Sequence, residues 1–81
     1  MKLTIKCFAV VAEVVGGSEA ELELDCGSTV ADLKQALVAQ FPELDRLRSA
    51  LLFAVNGEYA VDTCELDETA EIACIPPVSG G

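Results

Sequence analysis

The chain has 81 residues, 52% of them hydrophobic, with five basic residues against fourteen acidic ones and a formal charge of −9. That length makes one domain with a modest core, and that hydrophobic fraction excludes a disordered chain. The charge argues against nucleic acid and anionic membranes, which need Lys and Arg; it either steers a basic partner to the surface or keeps a small apolar domain in solution.

The longest clean apolar run, ALLFAV, is far below the ~20 residues of a membrane span. Lys6 and Glu13 interrupt any signal-peptide core, so a cytoplasmic location is expected. The cysteines, Cys7, Cys26, Cys64 and Cys74, form no C-x-x-C pair and match no zinc spacing. In a reducing compartment such isolated thiols act as small buried hydrophobes.

Residues 2–8 alternate: Leu3, Ile5 and Cys7 point one way, Lys2, Thr4, Lys6 and Phe8 the other. That is a half-buried strand with Phe8 the odd member of its polar face. In residues 9–15, Val11, Val14 and Val15 suit one side of a short helix stopped by Gly16-Gly17. Residues 20–26 alternate again, with Ala20, Leu22, Leu24 and Cys26 expected inward and Glu21, Glu23 and Asp25 outward. In TVADLKQALVAQF, Thr29 is placed as an N-cap with Asp32 three residues on. Val30, Leu33, Leu37 and Phe41 keep helical spacing, and Pro42 ends the helix.

ELDRLRSA reads as a connector tucking Leu44 and Leu47 under the helix, and LLFAV as a third strand. Asn56-Gly57 supplies the two positive-φ residues of a type I′ hairpin, with EYAV as the return strand. A loop anchored by Leu66 leads to a last strand over residues 70–75. Strand, strand, helix, strand, short strand, strand, with one amphipathic helix covering a mixed sheet, describes an α+β fold of the ubiquitin-like β-grasp type. The domain is expected over residues 1–75 and an extended tail over residues 76–81.

The side chains offer little chemistry. There is no His, no nucleophile flanked by a base, no phosphate loop at Gly16-Gly17 and no calcium loop at Asp67-Glu68. No metal or stably bound cofactor is expected. The chain end, PPVSGG, is different. Pro76 and Pro77 cannot extend a sheet ladder and hold φ fixed, so the tail should leave the domain extended. Six extended residues reach at most ~20 Å. Gly80 and Gly81 have no side chains, so the terminal carboxylate could enter a narrow tunnel. With a pKa of about 3.5 it is ionised at neutral pH and can attack the α-phosphate of ATP, giving an acyl-adenylate open to a sulfur or amine nucleophile. Against this stands an ordinary frayed terminus.

Through FAVVAEVVG, TVADLKQAL, FAVNGEYA and above all PPVSGG, the whole chain resembles the small sulfur-carrier subunit of molybdopterin synthase. The resemblance implies that a ubiquitin-activating-type adenylating enzyme uses Mg-ATP in trans on Gly81. A sulfurtransferase system then converts the adenylate to a thiocarboxylate. The tail of Pro76, Pro77, Val78, Ser79, Gly80 and Gly81 would enter the large subunit, which supplies the catalytic residues. There sulfur passes to cyclic pyranopterin monophosphate, within a heterotetramer of two small and two large subunits. One departure is visible: the family's Gly-Asp turn before the last strand is replaced by LDETAEI.

Two alternatives are a carrier for another pathway, such as thiazole or cysteine synthesis or protein tagging, and a ubiquitin-like interaction module with an inert tail. If the first and last strands are neighbours, Phe8, Ile75 and Tyr59 should form an apolar docking patch at the root of the tail.

Overall fold

The structure, a computed structural model, describes residues 1–76. Five strands form one mixed sheet: β1 (Lys2–Cys7), β2 (Glu19–Glu23), β3 (Leu52–Val55), β4 (Glu58–Tyr59) and β5 (Ile72–Ile75), in the spatial order β2-β1-β5-β3-β4. β1 and β5 run parallel, and the other pairs are antiparallel. Two α-helices, α1 (Ala9–Val15) and α2 (Val30–Gln40), and a 3₁₀ segment (Pro42–Ala50) complete the domain. This is the ubiquitin-like β-grasp arrangement expected from the sequence.

The alternation in β1 is realised, with Leu3, Ile5 and Cys7 buried and Lys2, Thr4 and Lys6 exposed. They meet Ala20 and Leu22 of β2, Phe53 of β3, and Ile72 and Cys74 of β5 in one core. Val30, Leu33, Leu37 and Val38 of α2 close it from above, with Val11 of α1, Leu44, Leu51 and Leu66. Each buried Val, Leu, Ile or Phe among them stabilises the fold by about 1.5–3 kcal/mol of transfer free energy before entropy is counted.

α2 starts where the sequence places it. Thr29 Oγ1 accepts from the Asp32 N–H, and the Asp32 carboxylate accepts from the Thr29 N–H at 2.9 Å, a complete capping box. Pro42 sits in the first turn of the 3₁₀ segment, so the expected connector is a helical element. Leu44 is buried, and Leu47 packs against the core while partly exposed.

The structure corrects several boundaries. Cys26, expected inward, is exposed. The β1–β2 register ends with Lys2 opposite Glu23; the chain then bends, Ser28 N–H donating to Asp25 C=O, with Gly27 at φ 88°. Alternation assigns a face only while the backbone stays paired. β4 keeps two residues of EYAV, and β5 starts at Ile72 rather than residue 70. The reason is that Ala70 N–H is tied back to Asp67 C=O. The LDETAEI departure has its own closure: the Asp67 carboxylate accepts from both the N–H and the hydroxyl of Thr69. Those bonds, the hydroxyl foremost, hold the exposed Asp67 carboxyl below its ordinary range.

Asn56 (φ 53°) and Gly57 (φ 84°) both occupy the left-handed region, as a type I′ turn requires. Asn56 also braces the hairpin to the approach of β5. Its N–H donates to Glu71 C=O at 2.8 Å, and its Oδ1 accepts from Glu71 N–H at 2.9 Å. Asn56→Ala removes that acceptor and strains φ, so a loss of about 1–2 kcal/mol is expected. Asn56→Gly, which keeps φ and loses only the side-chain bond, should cost less. Urea denaturation of the two variants checks this; equal stability of Asn56→Ala and wild type would refute the bracing role.

Candidate functional site: an apolar face at the end of the last strand

The outer face of the sheet divides into two halves. Toward β2 it is charged: Lys2 pairs with Glu21 at 3.1 Å, both well exposed, a contact that contributes little. Toward β4 it is apolar. The registers place Lys6, Ala73, Ala54 and Tyr59 in one row across β1, β5, β3 and β4. In the next row Ile75 lies opposite Leu52. Phe8 follows Cys7, which pairs with Cys74, and keeps an extended backbone (φ −128°, ψ 153°), so it comes level with Ile75. Ala9 then adopts φ 50° and turns the chain into α1.

Phe8 is 49% exposed, Leu52 50%, Tyr59 71% and Val61 70%; these are the exposed large hydrophobic residues among those described. Continuing the β3–β4 register by two residues brings Val61 level with Leu52, and both line one groove. The four therefore share one face, with half-buried Ile75 between Phe8 and Leu52. Scattered exposed apolar residues need no explanation, but a contiguous set marks an interaction surface.

Of the sequence-derived site, Phe8, Ile75 and Tyr59 are brought together. Leu52 and Val61 were missed. The signal for Leu52 was present in LLFAV, since an inward Phe53 forces its neighbour outward. Val61 was hidden because β4 proper ends at Tyr59, while the Ala60 N–H, donating to Phe53 C=O at 2.9 Å, carries the register on toward it. Pro76, the first residue of the expected tail, is buried. Pro77, Val78, Ser79, Gly80 and Gly81 lie outside the described residues.

Among the described residues there is no group of three or more His, Cys, Asp or Glu side chains able to hold a metal ion. Cys7 and Cys74 are paired neighbours on β1 and β5, both buried. Burial pushes the Cys74 thiol up to about 12, with the adjacent Cys7 adding to the rise. Burial likewise raises Cys7, partly offset by a backbone hydrogen bond at Ala20.

Residues 5–81 match the model of the ThiS family. The molybdopterin synthase sulfur carrier subunit of Arabidopsis thaliana is 35% identical over 81 residues, all of this chain and 84% of the relative. The crystal structure of SAMP1 from Haloferax volcanii superposes with a TM-score of 0.85 at 32% identity, covering 100% of both chains. A putative molybdopterin converting factor, subunit 1, from Pyrococcus furiosus gives 0.85 at 27% identity, covering 96% of this chain and 99% of the other. By fold these are ubiquitin-like β-grasp proteins, and this chain belongs to the ThiS family.

Thiol reactivity separates the cysteines. With a small maleimide at neutral pH, Cys26 should label first, the partly exposed Cys64 more slowly, and Cys7 and Cys74 only as the protein unfolds. Peptide mapping of a labelling time course checks the order. Early labelling of Cys74 would mean that the β1–β5 seam opens in the native state.

Proposed function

We propose that this chain is the sulfur carrier subunit of a molybdopterin synthase, with the carboxyl group of Gly81 as its reactive group. The observation that carries the reading is the placement of the apolar face. The exposed large hydrophobic residues gather beside the end of β5, where the chain runs on from Ile75 and Pro76 toward Gly81. A surface that docks a partner there delivers the terminus to it. The likeness to curated sulfur carrier subunits over the whole chain supports the same conclusion.

The chemistry follows from a carboxylate with no side chain beside it. An adenylating enzyme related to the ubiquitin-activating enzymes supplies Mg-ATP. The Gly81 carboxylate oxygen attacks the α-phosphorus, pyrophosphate leaves, and an acyl-adenylate forms. A sulfur nucleophile displaces AMP, giving the thiocarboxylate. The charged tail enters the large subunit, and sulfur passes to cyclic pyranopterin monophosphate. The small chain positions and donates, the large subunit provides the catalytic residues, and two of each form the working heterotetramer. The likeness to the small archaeal modifier protein 1 of Haloferax volcanii, 34% identical over 84 residues, favours one further reading, protein modification, in which an amine takes the place of sulfur at the same activated carbonyl.

Incubation with ATP, a sulfur donor and the activating enzyme should replace one oxygen by sulfur in the last peptide, seen by intact-mass and peptide analysis. Deleting Gly81, or adding a residue after it, should abolish that conversion and leave the melting temperature nearly unchanged. If the plain carboxylate persists while a known carrier in the same mixture is converted, the sulfur-carrier reading fails.

Phe8→Ser combined with Ile75→Ser should weaken large-subunit binding by about 2 kcal/mol or more, roughly thirtyfold in Kd, without unfolding the chain. Isothermal calorimetry at matched fold content checks this. Association should also slow as salt rises, because a chain of charge −9 approaches a subunit that must hold an anionic pterin. A salt-independent on-rate would leave solubility as the role of the acidity.

A further inference from the structure

The apolar face continues past the sheet. At Leu52 and Val61 it rounds the edge of β3 into a groove of about 430 Å³, floored by Val30, Leu51 and Phe53 and bordered by Lys34. The groove is rigidly built. Val30 N–H donates to Cys64 C=O at 2.9 Å and Ala31 N–H to Asp62 C=O at 3.0 Å, tying the segment after Val61 to the start of α2. Lys34 has only 18% of its side chain exposed, and its Nζ lies 3.6 Å from the Asp62 carboxylate. Val30, Leu51 and Phe53 are fixed in the core.

We propose that this groove is the second half of the partner's footprint, receiving an apolar side chain of the synthase large subunit. The proposal rests on the sulfur-carrier reading. Continuity names the occupant. Leu52 pairs with Ile75 on the docking face and also lines the groove, so a partner spanning Phe8 to Tyr59 passes over its mouth. The groove lies on the less acidic side of the molecule: Lys34 and Arg48, two of the five cations in a chain of charge −9, balance Asp45 and Asp62 around an adjoining hollow, whereas Glu19, Glu21 and Glu23 are exposed along β2. The same excess charge opposes a second copy of this chain as the occupant.

The test uses the full chain and its cognate large subunit. Ser49 lines the groove from the exposed surface of the 3₁₀ segment, so Ser49→Trp should fill it, and Val61→Asp should place a charge at its mouth. Each variant should bind the large subunit at least tenfold more weakly by calorimetry. Circular dichroism and melting temperature should be unchanged in both variants, and ATP-dependent sulfur loading of Gly81 unchanged in Ser49→Trp. Wild-type affinity in both variants, alongside weakened binding by the Phe8→Ser, Ile75→Ser pair, would overturn the groove and leave the carrier reading intact. Wild-type affinity in all three would remove the docking face, and the groove with it. Failure of wild type to load sulfur would remove the carrier reading itself. If sedimentation shows self-association that Ser49→Trp abolishes while large-subunit binding persists, the occupant is a second copy and the proposal is wrong.

Discussion

The parallel pairing of β1 with β5 is the constraint on which the rest of this molecule depends. It joins the first strand of the domain to the last, Ile5 to Ile72 and Cys7 to Cys74, across almost the whole chain. Parallel neighbours cannot be joined by a tight turn, so everything between them must form the crossover. α2 lies over the inner face because that crossover has to return across the sheet, and its row of Val30, Leu33 and Leu37 is what the sheet buries itself against. The same pairing places β5, the last strand, at the middle of the sheet rather than at an edge. β3 flanks β5 on one side and β1 on the other, so the tail root is walled by Phe8 and Leu52. Had β5 been an edge strand, Ile75 would have had one neighbour and no face to share.

Much of this was legible in the sequence, and the exceptions have physical reasons. The capping pair Thr29 and Asp32 specifies its own geometry within four residues, as do Asn56 and Gly57, so both were readable without tertiary knowledge. β1 was readable because its apolar and polar residues alternate cleanly. Cys26 was misread because alternation persisted after pairing stopped. Leu52 was legible from the inward Phe53 beside it and was passed over, whereas Val61 escaped because its place opposite Leu52 depends on how the return strand continues past Tyr59, a tertiary matter that no local pattern announces. The neighbouring of Phe8 and Ile75 was reached only by supposing β1 and β5 adjacent; sixty-odd residues of separation leave no trace of it in spacing.

The two halves of the outer face have opposite physical tasks. On the β2 side, Glu19, Glu21 and Glu23 line an open sheet edge, where charge discourages pairing with another chain. On the other side, the sheet offers small Ala54 and Ala73 between larger Phe8, Tyr59 and Leu52, a shallow floor with raised borders. A chain exposing such a surface risks non-specific association. The net charge of −9 offsets that risk over the whole molecule while keeping carboxylates out of the β1-to-β4 stretch of both rows, Glu19 standing beyond Lys6 on β2.

A carrier whose terminus becomes an activated acyl group faces one further demand: its own nucleophiles must not consume it. The thiols nearest the tail root are Cys7 and Cys74, one residue below Phe8 and Ile75. Burial keeps both protonated, and a protonated thiol is a poor nucleophile. Lys34, in the groove beside the face, is mostly covered and set against Asp62. The exposed thiol, Cys26, follows β2 and lies toward the Met1 end of β1, where Leu24 N–H donates to Met1 C=O. That is about a strand's length from the tail root, ~20 Å at 3.3 Å per residue, as far as the whole tail can extend. The strand order that creates the apolar face thus also keeps the core thiols inert and the most exposed thiol at the far end of the sheet.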